Sequence, residues 1–223
     1  NVRIFCEKEL RPSVVEMNRY HKFNIDLYPK FGSLGVLGQT IKTHGGSGTS
    51  NLAYGLVAYE LEKVDSSYRS SISVQSSLVI HPISEFGSED QKDKYLPELI
   101  SGKKIGCFGL TESEAGSDPS SMKTTFKKTK DGYILNGSKN WITNAPIADI
   151  LIIWAIEENK DHKSIEGFIL EKNFHGLKTS TIKNKTSLKI SPTGQIILNN
   201  VFVPDNLCLS KTEGWKSVFS CLN

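Results

Sequence analysis

Long hydrophobic runs are missing from these 223 residues. No apolar stretch approaches the roughly 20 residues that span a bilayer, so nothing reads as a membrane anchor. Cysteine is sparse. Cys6, Cys107, Cys208 and Cys221 show neither Cys-x-x-Cys spacing nor the density of a disulfide framework, and read as reduced thiols in a reducing compartment. Charge of one sign is also lacking: the net charge is +3 with both signs interspersed, which leaves no electrostatic footprint for nucleic acid. Lys127, Lys128 and Lys130 flank an Asp131-Gly132 turn and read as a solvated hairpin end. His44-Gly-Gly-Ser-Gly48 has neither the Gly-Lys-Ser/Thr ending of a phosphate loop nor the preceding strand of a dinucleotide fingerprint, and is left as a turn. The N-terminus carries no signal or transit peptide and opens in mid-helix, and Ser220-Cys-Leu-Asn223 stops as abruptly. Both ends read as cut.

What is there is enough for a core. With 38% hydrophobic and 23% charged residues, the chain can build one large domain or two small ones. Up to residue 102 the pattern is helical. A first apolar stripe (Val2, Ile4, Phe5, Leu10) ends at Pro12, and a second helix over 25–37 is interrupted near Pro29. A clearer one runs over 51–64, and another, capped by Asp65 or Ser66, runs to about Ile80. Ser88 and Gln91 have capping-box spacing before a helix to Gly102. From Ile105 the period changes to short apolar runs. Strands are expected over 105–110, 122–128, 132–136, 139–143, 149–156, 165–171, 177–182 and 194–203. Asp131-Gly132, Asn136-Gly137 and Asn199-Asn200 would supply turns. The fold class is α+β: an all-α domain over 1–103, a β-barrel or sandwich domain over 104–213, and helix resuming over 214–223.

Two segments carry chemistry. Gly106-Cys-Phe-Gly-Leu-Thr-Glu-Ser-Glu-Ala-Gly-Ser-Asp118 starts as a strand and becomes a loop of glycines and hydroxyls, whose backbone can approach a bulky polar group and whose N–H groups can cradle phosphate. An ordinary strand-to-loop transition accounts for it equally well. In Tyr133-Ile-Leu-Asn-Gly-Ser-Lys-Asn-Trp-Ile-Thr-Asn144 the Asn-Gly pair between apolar runs is the strongest short hairpin signal. Trp141 and Thr143, two apart, share a face of the second strand. A flat aromatic beside a hydroxyl suits a planar heteroaromatic ring; a core Trp beside a β-favouring Thr is the other reading.

Together these segments resemble the acyl-CoA dehydrogenases, and their wording is nearer the glutaryl-CoA branch. The shared features are Val64-Asp-Ser-Ser-Tyr-Arg-Ser70, Ser73-Val-Gln-Ser-Ser-Leu-Val79, His81-Pro82, Lys94-Tyr-Leu-Pro97, Gly106 to Glu112, Gly116 to Met122 and Trp141-Ile-Thr-Asn144. The resemblance covers the whole chain. It implies a helical N-terminal domain, a middle β-domain and a C-terminal helical bundle that is absent here. It also implies FAD as cofactor, held by Phe108, Gly109, Leu110, Thr111 and Glu112, by Gly116 and Ser117 near the diphosphate, and by Trp141, Ile142 and Thr143 over the ring.

Substrate contacts are implied at Arg69, Ser70, Ser117, Leu222 and Asn223. Arg69 is the specificity residue: glutaryl-CoA carries a distal carboxylate, and a guanidinium binds carboxylate with two parallel hydrogen bonds. By itself Arg69 is a surface arginine in a helix's first turn. Glu62 also matches and sits two helical turns before Arg69, although the cap at Asp65 or Ser66 interrupts that geometry. Glu112 and Glu114 read as solvated or bonded to backbone, and no residue here is assigned as the catalytic base, which the resemblance places in the C-terminal domain. At Lys189 the family usually has an arginine.

The implied activity is α,β-dehydrogenation and decarboxylation of glutaryl-CoA to crotonyl-CoA and CO2, in lysine and tryptophan degradation. Electrons would pass to electron-transfer flavoprotein, in a homotetramer of the mitochondrial matrix or a bacterial cytoplasm. Metal and nucleic acid are not expected. The alternatives are a short- or branched-chain acyl-CoA dehydrogenase and a truncated, non-catalytic relative serving as a binding or assembly module.

Overall fold

A computed structural model describes residues 1–159 and 164–222. Helices come first: α1 (Val2–Phe5), α2 (Val14–Tyr20), α3 (Leu27–Ser33), α4 (Asn51–Glu62), α5 (Ser66–Ser73), α6 (His81–Phe86) and α7 (Glu89–Ile100). Strands follow: β1 (Gly106–Gly109), β2 (Thr125–Lys128), β3 (Gly132–Thr143), β4 (Ile150–Glu157), β5 (Ile165–Glu171), β6 (Leu177–Thr181) and β7 (Thr193–Pro204), before the short α8 (Trp215–Ser220). The α+β order expected from the sequence is the one found.

Local chemistry explains the helix starts. Asp65 accepts the Ser67 N–H at 2.8 Å to start α5. Ser88 and Gln91 form both halves of the expected capping box on α7. Three expectations need correction. Val14–Tyr20 is a helix that the sequence reading passed over, its partly buried face too short to show a period. Pro29 does not interrupt α3; it falls in the first turn, where a missing N–H costs nothing. The helix expected to end near Ile80 continues: α5, a π-helical stretch Val74–Ile80 and α6 follow without a break in right-handed backbone geometry. Pi-helical turns of this kind are often found at functional sites.

The strands form a single sheet in the order β1-β4-β2-β3-β7-β6, with β5 on β4. Strand β4 is buried nearly throughout and pairs parallel with β1 and β2 and antiparallel with β5, so its sequence is continuous apolar rather than alternating. Asn136-Gly137 is not a hairpin turn, and 132–136 and 139–143 are not two strands. They form one twelve-residue strand paired with β7. Asn199-Asn200 is not a turn either. The two asparagine motifs face each other at a β-bulge, where the register passes from Leu135–Val201 to Gly137–Leu198. Asn136 Oδ1 accepts the Asn200 N–H at 2.7 Å, and Asn200 takes the left-handed conformation.

One continuous core of buried side chains runs through helices and sheet. Several contacts tie the two together. Gln91 donates to the carbonyls of Asn206 and Cys208, and Lys94 and Tyr95 both donate to Glu171 at 2.8 Å. Gly106 brings β1 against the π-helical stretch so closely that a Cβ would lie 2.4 Å from Val79. No helix among the described residues is long and apolar enough to cross a membrane.

Candidate functional site

A cleft of about 320 Å³ lies between β1 with the chain after it, the end of β3 and the π-helical stretch. One wall comes from β1 and the chain after it: Phe108, Leu110 and Thr111, then Gly116, Ser117 and Pro119. The facing wall is the end of β3, with Trp141, Ile142 and Thr143. Val74 and Leu78 close it from the helix, one turn apart, and Phe219 and Leu222 from the α8 end.

The β3 wall is shaped by a second bulge, where the register with β7 passes from Lys139–Ile196 to Ile142–Gly194. Trp141 takes φ +61, a region bulky residues avoid, and its side chain is 59% exposed. It is therefore not a core tryptophan. Asn140 holds this geometry. Its side-chain oxygen accepts the Trp141 N–H at 3.0 Å, its own N–H donates to the Thr111 carbonyl at 2.9 Å, and its Nδ2 donates to Ser113 Oγ at 3.1 Å. Asn144, also left-handed, ends the strand by donating to the carbonyls of Pro192 and Gly106.

Behind the walls lies an ion pair that the sequence did not disclose. Lys139 is fully buried, and its Nζ donates to Glu112 Oε1 at 2.8 Å and to the Leu110 carbonyl at 3.1 Å. Glu112 also accepts the backbone N–H groups of Lys123 (2.7 Å) and Thr124 (3.0 Å). Burial lowers the Lys139 pKa to about 8, against the pull of Glu112. Burial alone would raise Glu112, but Lys139 and the hydrogen bonds from Thr124 and Lys123 bring it below the usual carboxylate range. Glu114, by contrast, is exposed and pairs with Lys123.

Of the residues expected to hold a cofactor, Phe108, Leu110, Thr111, Gly116, Ser117, Trp141, Ile142 and Thr143 line the cleft. Gly109 and Glu112 do not: the first is packed against Ile153 and Lys139, the second is turned inward. Of the residues expected at substrate, Ser117 and Leu222 line it, and Asn223 lies outside the described residues. Arg69 and Ser70 are not in the lining, though Ser70 precedes Val74 and Leu78 at the same four-residue spacing. Arg69 Nε donates to Glu62 Oε2 at 2.8 Å, and Glu62 Oε1 accepts from Ser66 Oγ. The cap that was expected to interrupt the Glu62–Arg69 pair instead turns the chain so that the two meet.

The fit to a flavin rests on the donor set. Apolar faces at Phe108, Leu110, Trp141 and Ile142 suit a planar ring, hydroxyls at Thr111 and Thr143 suit its polar edge, and a Cβ at Gly116 would meet nothing within 4 Å, so a diphosphate can come close. A second cavity of about 480 Å³, lined by polar groups such as Gln39, Tyr54, Ser76, Ser77 and His81, shares the helix but is lined by no glycine and by none of the residues expected to hold the cofactor. No group of metal-ligating side chains is found among the described residues.

Sequence and structure comparisons place the chain in a family. Residues 1–103 match the model of the acyl-CoA dehydrogenase N-terminal domain and residues 107–201 that of the middle domain. The short-chain-specific acyl-CoA dehydrogenase of Clostridium acetobutylicum is 34% identical over 100% of this chain and 59% of its own length. The mitochondrial isovaleryl-CoA dehydrogenase of Pongo abelii is 38% identical over 90% of this chain and 49% of its own. A glutaryl-CoA dehydrogenase from Mycobacterium smegmatis, solved in complex with FADH2, superposes with a TM-score of 0.96 at 40% identity, covering 100% of this chain and 56% of that one. The chain belongs to the acyl-CoA dehydrogenase family, whose members depend on FAD. It spans less than three fifths of the length of these relatives.

Proposed function

We propose that the protein to which this chain belongs is an FAD-dependent dehydrogenase of glutaryl-CoA, converting it to crotonyl-CoA and CO2 and passing electrons to electron-transfer flavoprotein. The observation that carries the substrate is the state of Arg69. Glu62 takes only its Nε, which leaves the edge formed by the two terminal nitrogens for another acceptor. That edge is the one that binds a carboxylate with two parallel hydrogen bonds. Relatives named for short-chain, isovaleryl and glutaryl substrates lie at 34–40% identity, so family membership alone leaves the acyl chain open.

Bound FAD would supply the hydride acceptor. Trp141 and Phe108 would cover the ring, with Thr143 and Thr111 offering hydroxyls to its polar edge, while Gly116 and Ser117 lie by the diphosphate and the CoA arm. Arg69 would hold the far carboxylate of the acyl chain, fixing the Cα–H and Cβ–H bonds in register with the cleft. No carboxylate lines the cleft in the described chain, since Glu112 is committed to Lys139 and two backbone N–H groups. The base for the α-proton is assigned to a glutamate in the part of the relatives' length that this chain does not span. Once the α,β double bond forms, the γ-carboxylate would leave as CO2, its bonding pair would move into the conjugated thioester, and a proton returned to the γ-carbon, from the acid formed when the base took the α-proton or from solvent, would complete crotonyl-CoA.

The test is the visible spectrum of the intact protein, recorded anaerobically while glutaryl-, butyryl- or isovaleryl-CoA is added. Bleaching of flavin bands by glutaryl-CoA in preference to the others is expected. Arg69→Gln should lower kcat/KM for glutaryl-CoA by about 10- to 150-fold, the worth of a charge-assisted pair. Equal bleaching by all three esters and an unaffected Arg69→Gln enzyme would point to a short- or branched-chain substrate. Protein without flavin would favour the non-catalytic reading.

A further inference from the structure

We propose that the buried Lys139–Glu112 pair is a positioning device for the cofactor cleft, locking the wall that carries Leu110 and Thr111 to the wall that carries Trp141 and Thr143. The proposal rests on the flavin reading of that cleft. Neither charged group lines the cleft. Lys139 donates to the carbonyl of Leu110, which does, and Glu112 directly follows Thr111, which does too.

From β3, two residues before Trp141, Lys139 reaches back to the Leu110 carbonyl, and Leu110 and Thr111 form the opposite wall. Its second contact is Glu112, whose carboxylate gathers the backbone N–H groups of Lys123 and Thr124. One charge pair thus joins three stretches of chain: the end of β1, the approach to β2, and β3. Asn140 makes a parallel connection outside it, through its N–H to the Thr111 carbonyl. Gly109 has a reason within this arrangement. A Cβ there would lie 2.6 Å from Ile153 Cδ1 and 3.2 Å from Lys139 Cγ, so it would collide with Ile153 and crowd the lysine stem beside β1.

Stability is a poor explanation for the pair. Taking two charges out of water carries a large desolvation penalty, and well-packed apolar residues of the same volume are often neutral or stabilising in their place. What an apolar pair could not do is hold the Leu110 carbonyl and two N–H groups in fixed directions. A charge-assisted hydrogen bond is short and directional, and it sets where a backbone segment lies to within a fraction of an ångström.

The test uses the intact protein stripped of flavin. FAD affinity is measured by quenching of flavin fluorescence, together with the visible circular dichroism of the bound flavin and the thermal midpoint of the apoprotein. Lys139→Met and Glu112→Gln each strand one buried charge and are expected to lower the midpoint. The double variant strands neither and is expected to regain most of it. A positioning role requires that the double variant still bind FAD at least tenfold more weakly than wild type, with an altered dichroism spectrum. Full recovery of affinity and dichroism along with the midpoint would overturn the proposal and leave the pair purely structural. Glu112→Asp covers the case in which the double variant does not fold: it keeps both charges and shortens the reach by one methylene. A fivefold or greater loss of FAD affinity is expected there, and unchanged affinity would overturn the proposal. Wild-type protein that takes up no FAD would overturn the flavin reading and this proposal together, whereas flavin in the wild type and an unaffected double variant would sink this proposal alone.

Discussion

Gln75 is a clasp between helix and sheet: its side-chain oxygen accepts the Gly106 N–H at 2.8 Å, and its Nε2 donates to the carbonyls of Leu99 (3.0 Å) and Lys104 (2.9 Å). It is fully buried in the π-helical stretch, beside the residues that close the cleft. Replacing it with leucine would take the partner from the Gly106 N–H and from the Lys104 carbonyl, while the Leu99 carbonyl keeps the Gly102 N–H at 3.2 Å. Each stranded group costs about 1–3 kcal/mol, so Gln75→Leu should destabilise the protein by roughly 2–5 kcal/mol. A urea titration followed by far-UV circular dichroism checks this; a loss under 1 kcal/mol would mean that the clasp is replaced by water.

Gly137 makes a sharper case. Its φ of +143 is one that side chains rarely adopt, and a Cβ would lie 2.5 Å from Thr124 Oγ1 and 2.6 Å from Thr124 Cα. Gly137→Ala is therefore expected to cost at least about 2 kcal/mol, through strain and through displacement of backbone that cannot move aside. The same measurement of the urea midpoint decides it. An Asn136-Gly137 hairpin turn would share the backbone strain of the change but not the collision with Thr124.

That contrast shows what could be read from the residues and what could not. The helical and sheet halves and the capping box at Ser88 were legible, because capping and periodicity act over a few neighbours; the cleft residues were named through the family resemblance. The meaning of Asn136-Gly137 was not. A positive φ serves a turn or a bulge equally, and only the distant Asn199-Asn200, paired across the sheet, decides between them. Lys139 was missed for a related reason. Nothing near it in sequence marks a lysine as buried; its partner Glu112 is brought to it by the sheet. Glu62 and Arg69 were separated by an expected break that the fold turned to their advantage.

Acid should probe Glu112 directly. Its pKa is held below the unfolded value of about 4.3, chiefly by Lys139 acting against burial. The folded state therefore binds this proton less readily than the unfolded chain. The contribution to stability is fully present above about pH 4.3 and is lost as pH falls through the folded value. Glu166, raised by burial, works in the opposite sense, so the difference between wild type and Glu112→Gln isolates the effect. The thermal midpoint of wild type should fall more steeply between pH 5 and 3 than that of Glu112→Gln; parallel curves would place the Glu112 carboxylate outside the linkage.

Trp141 separates stability from function. Its left-handed backbone costs about 1–2 kcal/mol for a residue with a Cβ, and its exposed side chain contributes little burial in return. Trp141→Gly removes that strain while adding about 0.5–1 kcal/mol of unfolded-chain entropy. The apoprotein of the variant should consequently be as stable as wild type to within about 1 kcal/mol. The cleft, however, loses the indole that forms one of its walls, so FAD affinity should drop by tenfold or more. A urea midpoint and a fluorescence titration with FAD give the two numbers. A destabilised variant with normal affinity would mean that the strained tryptophan serves the fold, and the reverse pattern that the strain is retained for the cleft.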